Sequence, residues 1–577
     1  MSALGFGVYQ FAVRRDEKVE SKFAPIEQLR VQRLTDSGDV VFPTISPNSE
    51  MLAFVRLEDS GGSLWIKQTV TDSSREILPS SPKSYRSLVF SPDGRYIFFR
   101  EEADGSPIYQ TTILGGSSKK VAVNVWSDFG ISPGGTQLVF IRRDTERNRH
   151  LLILSNIDGS GERELSSRES PTDFRSTPAW SPDGEKIIVA AGIQAQFFPK
   201  LLTIEVADGK ETEVKIPRWR SIPRVVWLPD GKNLIISARE AKEPYSQLWM
   251  FSYPDGEVRR LTNDLEAYFW ISTSADGRMV VTRQQKIFAH LWILPNGDGT
   301  KAKQITSGGR NLDGYAGLGW SPDGKIIFSG FANNVTDLYS MNADGGNRIQ
   351  LTANAGQDNN FPTVSHDGRF VVFTSNRTGT TQIWRMDIDG RNQKQLTFSE
   401  EPNERVQSPA LSANGTEVFF IKRGTRPGAI WKISVEGGNA VQVSRLTNAT
   451  PEGFVSVTPD GKRLAYHHVS DKPKAGDENQ LLKIGVLPTN GGGEPQLFNL
   501  PMRRPFVQWT SDSTFDYAAG TFNASSLLRQ TLADGESQKI TDFPDRVFNF
   551  AWSGDGKNLV VSRGKQQGDA ILITNLP

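Results

Sequence analysis

Apolar positions fall in short alternating runs without a helical period, and one tetrapeptide recurs between them. It reads SPNS from Ser46, SPDG from Ser91, SPGG from Ser132, SPDG from Ser181, LPDG from Leu228 and SADG from Ser274. It continues as SPDG from Ser321, SHDG from Ser365, SANG from Ser412, TPDG from Thr458, a degenerate TSDS from Thr510 and SGDG from Ser553. The twelve copies lie 41 to 52 residues apart. Proline presets φ, aspartate bonds back to its own backbone and glycine takes the left-handed position, so each copy predicts a tight hairpin. Six residues after the turn begins the side chain is apolar in all copies but the eleventh, where Asp516 stands. The residue before the turn is mostly large, as at Trp180, Trp320 and Trp552, and the one before that mostly small, as at Gly130, Gly319 and Ala551. Large and small on opposite faces of a strand suit sheets stacked face to face.

Each copy then carries a third strand marked by an apolar pair, among them Leu64-Trp65, Leu291-Trp292, Leu481-Leu482 and Ile571-Leu572. Many end on a polar fourth strand such as VRRLTND from Val258, suited to a sheet edge. Four antiparallel strands per repeat predict an all-β fold of propeller blades. Twelve blades exceed the usual range of about four to eight, so two tandem six-bladed β-propellers are expected. An orphan fourth strand opens each half, LRVQRLT from Leu29 and KAKQITS from Lys301, and each ring is expected to be closed by its own N-terminal strand. The predicted division is a stub and polar tether at 1–28, a first propeller at 29–298 with blades one to six, and a second at 299–577 with blades seven to twelve. The boundary falls in the turn-rich PNGDGT, 295–300.

The blade pattern, best seen in FPTVSHDGRFVVFTSNRTGTTQIWRMDIDGRNQKQLT from Phe361 and GLGWSPDGKIIFSGFANNVTDLYSMNADGGNRIQLT from Gly317, resembles the WD40-like PD40 repeat of TolB-like six-bladed propellers. The resemblance covers nearly everything after Leu29, but its motif residues belong to turns and core. It implies similarity to the C-terminal propeller regions of bacterial membrane-anchored kinases and winged-helix regulators, and also to the lid of prolyl-oligopeptidase-type peptidases.

Composition narrows the function. The 577 residues include 66 basic and 65 acidic side chains, which argues against a surface built to grip nucleic acid or anionic lipid. The absence of cysteine excludes disulfides, thiolate metal sites and cysteine nucleophiles. No G-x-S-x-G elbow, H-E-x-x-H, P-loop or kinase catalytic loop occurs, and the blades use up the chain, so no enzyme activity, cofactor or metal is expected. The five histidines, 150, 290, 366, 467 and 468, lack metal-ligand spacing, and MDIDGRN from Met386 reads as an Asp-Gly hairpin, not a calcium loop. Residues 2–13, SALGFGVYQFAV, are too short to span a bilayer, which takes about 20 residues, and although Arg14 and Arg15 follow them they lack the basic region that precedes the apolar stretch of a secretory signal. They read either as a loosely docked tail or as the end of a membrane helix lying upstream.

Propeller rims are lined by the residues that open each innermost strand, four places before the turn. In the first ring this selects Phe42, Asp128, Arg224 and Trp270, and in the second Phe361, Phe454 and Phe506. Exposed aromatics with arginine are the composition of interaction hot spots, whereas aromatics alone would also plug a channel. IPRWRSIPR, 216–224, adds Arg218, Trp219 and Arg220 in an expected inter-blade loop able to stack an aromatic or hold a carboxylate. Ten of thirteen tryptophans are core by position, leaving Trp126, Trp219 and Trp270. The expectation is a non-catalytic module binding a protein, peptide or small ligand, not nucleic acid, as an extracytoplasmic sensor or scaffold; the alternative is a substrate-gating propeller of a peptidase.

Overall fold

A computed structural model describes residues 29–576 apart from short internal stretches, the longest being 194–197, 354–357, 400–403, 471–482 and 500–505. The apolar N-terminal run and Leu481-Leu482 lie outside the described residues. The chain is all-β; among the described residues the one helical element is a 3-10 turn at Gly299–Lys301, and no helix is long and apolar enough to cross a membrane. Ten antiparallel sheets serve one repeat copy each, and an eleventh is shared by copies six and twelve.

The turns follow from their residue types. In copy two the Ser91 hydroxyl donates to Asp93 and accepts the Tyr96 N–H at 3.0 Å, Asp93 accepts the Arg95 N–H at 3.1 Å, and Gly94 takes φ 71°. The same net recurs at Ser181, Ser274, Ser365 and Thr458. This explains the hydroxyl residue that leads the tetrapeptide: its oxygen satisfies an N–H that would otherwise be left unpaired beside the turn.

Large and small positions meet between copies. Trp320 Nε1 donates to the Ala551 carbonyl at 3.0 Å and Trp509 Nε1 to the Ser456 carbonyl at 3.2 Å, so the large residue of one copy sits over the small one of its neighbour. Contacts between sheets run from copy one to copy six and back to copy one, where Thr44 and Ser272 share a hydrogen bond of 2.9 Å. A second circuit runs from copy seven to copy twelve and returns through Trp320.

One expectation is overturned. Leu291-Trp292 does not turn back into the sheet of copy six, nor Ile571-Leu572 into that of copy twelve. Strands Val280–Pro295 and Asn558–Thr574 each run straight through and pair antiparallel over their whole length, from Val280↔Ile573 to Pro295↔Asn558. The copy-six sheet therefore takes its third strand from the C-terminus and its fourth from Arg30–Arg33. The copy-twelve sheet takes its third from residues before Pro295 and its fourth from Lys303–Gln304. The physical reason is the missing turn: from Val280 to Leu294 there is no Gly, Pro, Asn or Asp to reverse the chain. Gly564 looks like a turn residue but serves close approach, since a Cβ there would lie 1.9 Å from the Phe288 carbonyl oxygen.

Candidate partner-binding site

The innermost strands slip register just before the turn, for example between Val41 and Thr44, Arg86 and Val89, Phe269 and Ile271, Asn360 and Thr363, and Gln407 and Ala410. Within each slip one residue is left-handed: Phe42 at φ 54°, Ser87 at 57°, Trp270 at 61°, Phe361 at 53° and Ser408 at 50°. A non-glycine residue there costs about 1–3 kcal/mol, and a bulge of this kind re-aims its side chain.

In the first circuit two of these re-aimed side chains, Phe42 and Trp270, gather beside Arg224. Its guanidinium lies 3.7 Å from the Trp270 ring centroid and 3.7 Å from Asp128. Nε donates to the Ile271 carbonyl at 3.1 Å and Nη1 to Thr177 Oγ1 at 3.2 Å. Phe42 meets Trp270 edge-on at 4.9 Å. Four sequence-selected residues, from copies one, three, five and six, thus form one cluster. Burial pushes Arg224 down to about 10 against the opposite pull of Asp128. Asp128, 26% exposed, is the charged member that solvent reaches. In the second circuit Phe361 and Phe506 approach to 6.5 Å between ring centroids, while Phe454 is buried edge-on to His467 at 4.5 Å.

The other three candidates do not join them. The expected loop is strand Trp219–Trp227, so its side chains alternate. Arg218 is exposed beside the Phe198 ring at 4.3 Å, Trp219 is buried on Trp249 and Phe251, and Arg220 pairs with Asp358 at 3.1 Å. Pro217 and Pro223 masked the alternation, because Pro223 occupies a register slip where no N–H is needed. Of the leftover tryptophans, Trp126 alone is exposed, at 53%.

Residues 311–484 match the PD40 family model, the TolB beta propeller domain. The chain carries TolB-like β-propeller repeats. An uncharacterized protein of Agrobacterium fabrum is 32% identical over 183 residues, 30% of this chain and 57% of that protein. The Tol-Pal system protein TolB of Francisella tularensis subsp. tularensis is 24% identical over 265 residues, 45% of this chain and 58% of that protein. The chain therefore spans somewhat under three fifths of these curated relatives. The tricorn protease structure is similar at TM-score 0.32 and 15% identity, covering 91% of this chain and 60% of that one.

What sequence reasoning missed is where the two circuits face each other. Arg220 and Asp358 join copy five to copy eight, and Tyr245 meets Phe331 at 5.8 Å. A signal was available: in eight copies an arginine stands nine to twelve residues after the turn begins, as at Arg100, Arg239 and Arg423, where the second strand ends on the side away from the turns. Among the described residues no three His, Cys, Asp or Glu side chains gather as a metal site. In MDIDGRN, Asp389 accepts the Arg391 N–H at 3.0 Å and Asp387 accepts from Asn392 at 2.6 Å, so both carboxylates serve the turn.

Proposed function

We propose that the chain is a non-catalytic interaction module of two six-bladed TolB-like propellers, which takes a protein or peptide partner at the axis of the first. The carrying observation is the Arg224–Trp270–Asp128 cluster: left-handed backbone at Trp270 aims its ring at Arg224, both side chains are buried where an exposed rim was expected, and Asp128 carries their charge out to solvent, an arginine–aromatic pairing of the kind found in hot spots. In this reading the first propeller comprises residues 29–287 with 566–576 and the second 288–565, the long strands replacing the single boundary expected at 295–300. A relative that belongs to the Tol-Pal system supports an extracytoplasmic envelope assembly as the setting.

The test is affinity capture from an envelope extract with the full chain. Asp128→Lys, at a solvent-reached position, and Arg224→Ala are expected to lose the captured partner while unfolding near the wild-type temperature for the first. Unchanged capture by both rejects the axis. Turnover of a peptidase or polysaccharide-lyase substrate by the purified chain rejects the non-catalytic reading.

A further inference from the structure

Arginines gather where the two circuits face each other, and one lacks a partner. Arg405 opens the innermost strand of copy nine, in register with Arg423. Around it stand Arg423 and, from the first circuit, Arg175 and Arg220, with Glu452 pulling the other way; burial and the like charges push Arg405 down to about 10. The nearby carboxylates are engaged: Glu452 with Arg423 at 2.8 Å, Asp358 with Arg220 at 3.1 Å and Asp173 with Arg175 at 3.0 Å. The Arg405 side chain makes no ion pair or hydrogen bond among the described residues, and its Nε is buried. A desolvated cation among cations is costly unless an anion completes it.

Trp126 is exposed, with Arg143 at 5.3 Å from its ring centroid and His150 edge-on at 6.4 Å. His150 feels the charges of both Arg143 and Arg175, which connects the tryptophan to the arginine cluster.

We propose that the arginine cluster between the circuits binds a carboxylate-bearing peptide segment, its acidic groups paired with Arg405 and its neighbours and an apolar side chain resting on Trp126. The planar guanidinium matches a carboxylate through two parallel hydrogen bonds, and the indole supplies a flat apolar surface. A nucleic acid duplex would want an open basic face, whereas these charges are half-buried in a chain of net charge +1. The inference rests on the chain being an interaction module, but uses none of the axis residues.

The test is fluorescence anisotropy of labelled Glu-Glu-Phe-Glu-Glu and Gln-Gln-Phe-Gln-Gln on the full chain. The acidic peptide is expected to bind, to weaken with salt and to raise the unfolding temperature. Arg405→Gln weakens it by about tenfold or more and abolishes the thermal shift, Arg405→Lys falls between, and Trp126→Ala weakens it several-fold. Arg95→Gln, at an exposed turn, leaves it unchanged. Equal affinity in Arg405→Gln, equal binding of the glutamine peptide, or equal displacement by inorganic phosphate overturns the proposal. If peptide binding fails while axis-dependent capture persists, this site alone is rejected; if both fail, so is the interaction reading.

Discussion

Thr35 and Ala570 lie at opposite ends of the chain, and the Thr35 hydroxyl accepts the Ala570 N–H at 2.9 Å while donating to Asp569 at 3.1 Å. Thr306 treats Leu291 the same way in the other half, at 2.9 Å. Thr262, Thr352 and Thr397 do so for Leu248, Leu338 and Ile383. The threonine ending each of these five fourth strands is thus a clasp for whichever third strand lies beside it, and Ser444 serves Ile430 likewise. Thr35→Val is expected to cost about 1–2 kcal/mol by stranding the buried Ala570 N–H and releasing Asp569. Removing residues 566–577 should open the edge of the strand from Val280, raising amide exchange there and leaving Arg30–Arg33 unpaired. Unaltered exchange in both strands would refute the strand exchange.

Two buried groups near Arg175 should give opposing pH effects. Burial raises Asp173 from 3.8 to about 6, while burial and the charges of Arg143 and Arg175 lower His150 from 6.5 to about 4. Between those limits the folded state keeps a proton on Asp173 that the unfolded chain has released, so stability falls as pH rises from about 4 to 6. At His150 the unfolded chain keeps a proton that the folded state lacks, so stability rises with pH from about 4 to 6.5. Each effect is at most about 3 kcal/mol, and they oppose. Asp173→Asn should unmask a rise and His150→Gln a fall in unfolding temperature over this window; parallel profiles for the two variants would contradict the assignment.

Asp516 stands, fully buried, at the position that is apolar in the other copies. It accepts Arg529 Nε at 2.7 Å, Arg529 Nη2 at 2.9 Å and Trp552 Nε1 at 2.8 Å, so the exception is an internal ion pair. Asp516→Leu restores the repeat pattern yet should destabilise by about 2 kcal/mol, because the indole N–H and the partly buried guanidinium lose their acceptor. Adding Arg529→Met should recover most of that loss. A neutral single variant in urea unfolding would show the pair to be dispensable.

The Arg220–Asp358 pair, 14% and 37% exposed, holds the circuits together at one point. A double-mutant cycle with Arg220→Ala and Asp358→Ala is expected to give a coupling of about 1 kcal/mol. Additive effects would mean the two residues are merely adjacent.

Much of the fold is legible from particular residues. Ser91, Asp93 and Gly94 announce a hairpin, and Trp320 with Ala551 announces stacked sheets, because turn chemistry and side-chain volume act over a few ångströms. That Phe42, Asp128, Arg224 and Trp270 would come together was also legible, since they occupy one repeat position. Arg218, Trp219 and Arg220 were not, because a strand sends neighbours to opposite faces while the prolines suggested a loop. Arg405 was invisible because two of its charged neighbours, Arg175 and Arg220, come from the other circuit.

Sequence alone determines that twelve similar antiparallel repeats form, where each turns and which residues point between them, because these depend on local backbone preference and on apolar alternation. It does not determine which sheet receives Leu291-Trp292 and which Ile571-Leu572. Either apolar pair satisfies either edge, so the choice falls to long-range pairing: two strands that lack a turn run on, cross between the circuits and bring the arginine-bearing faces of both halves together.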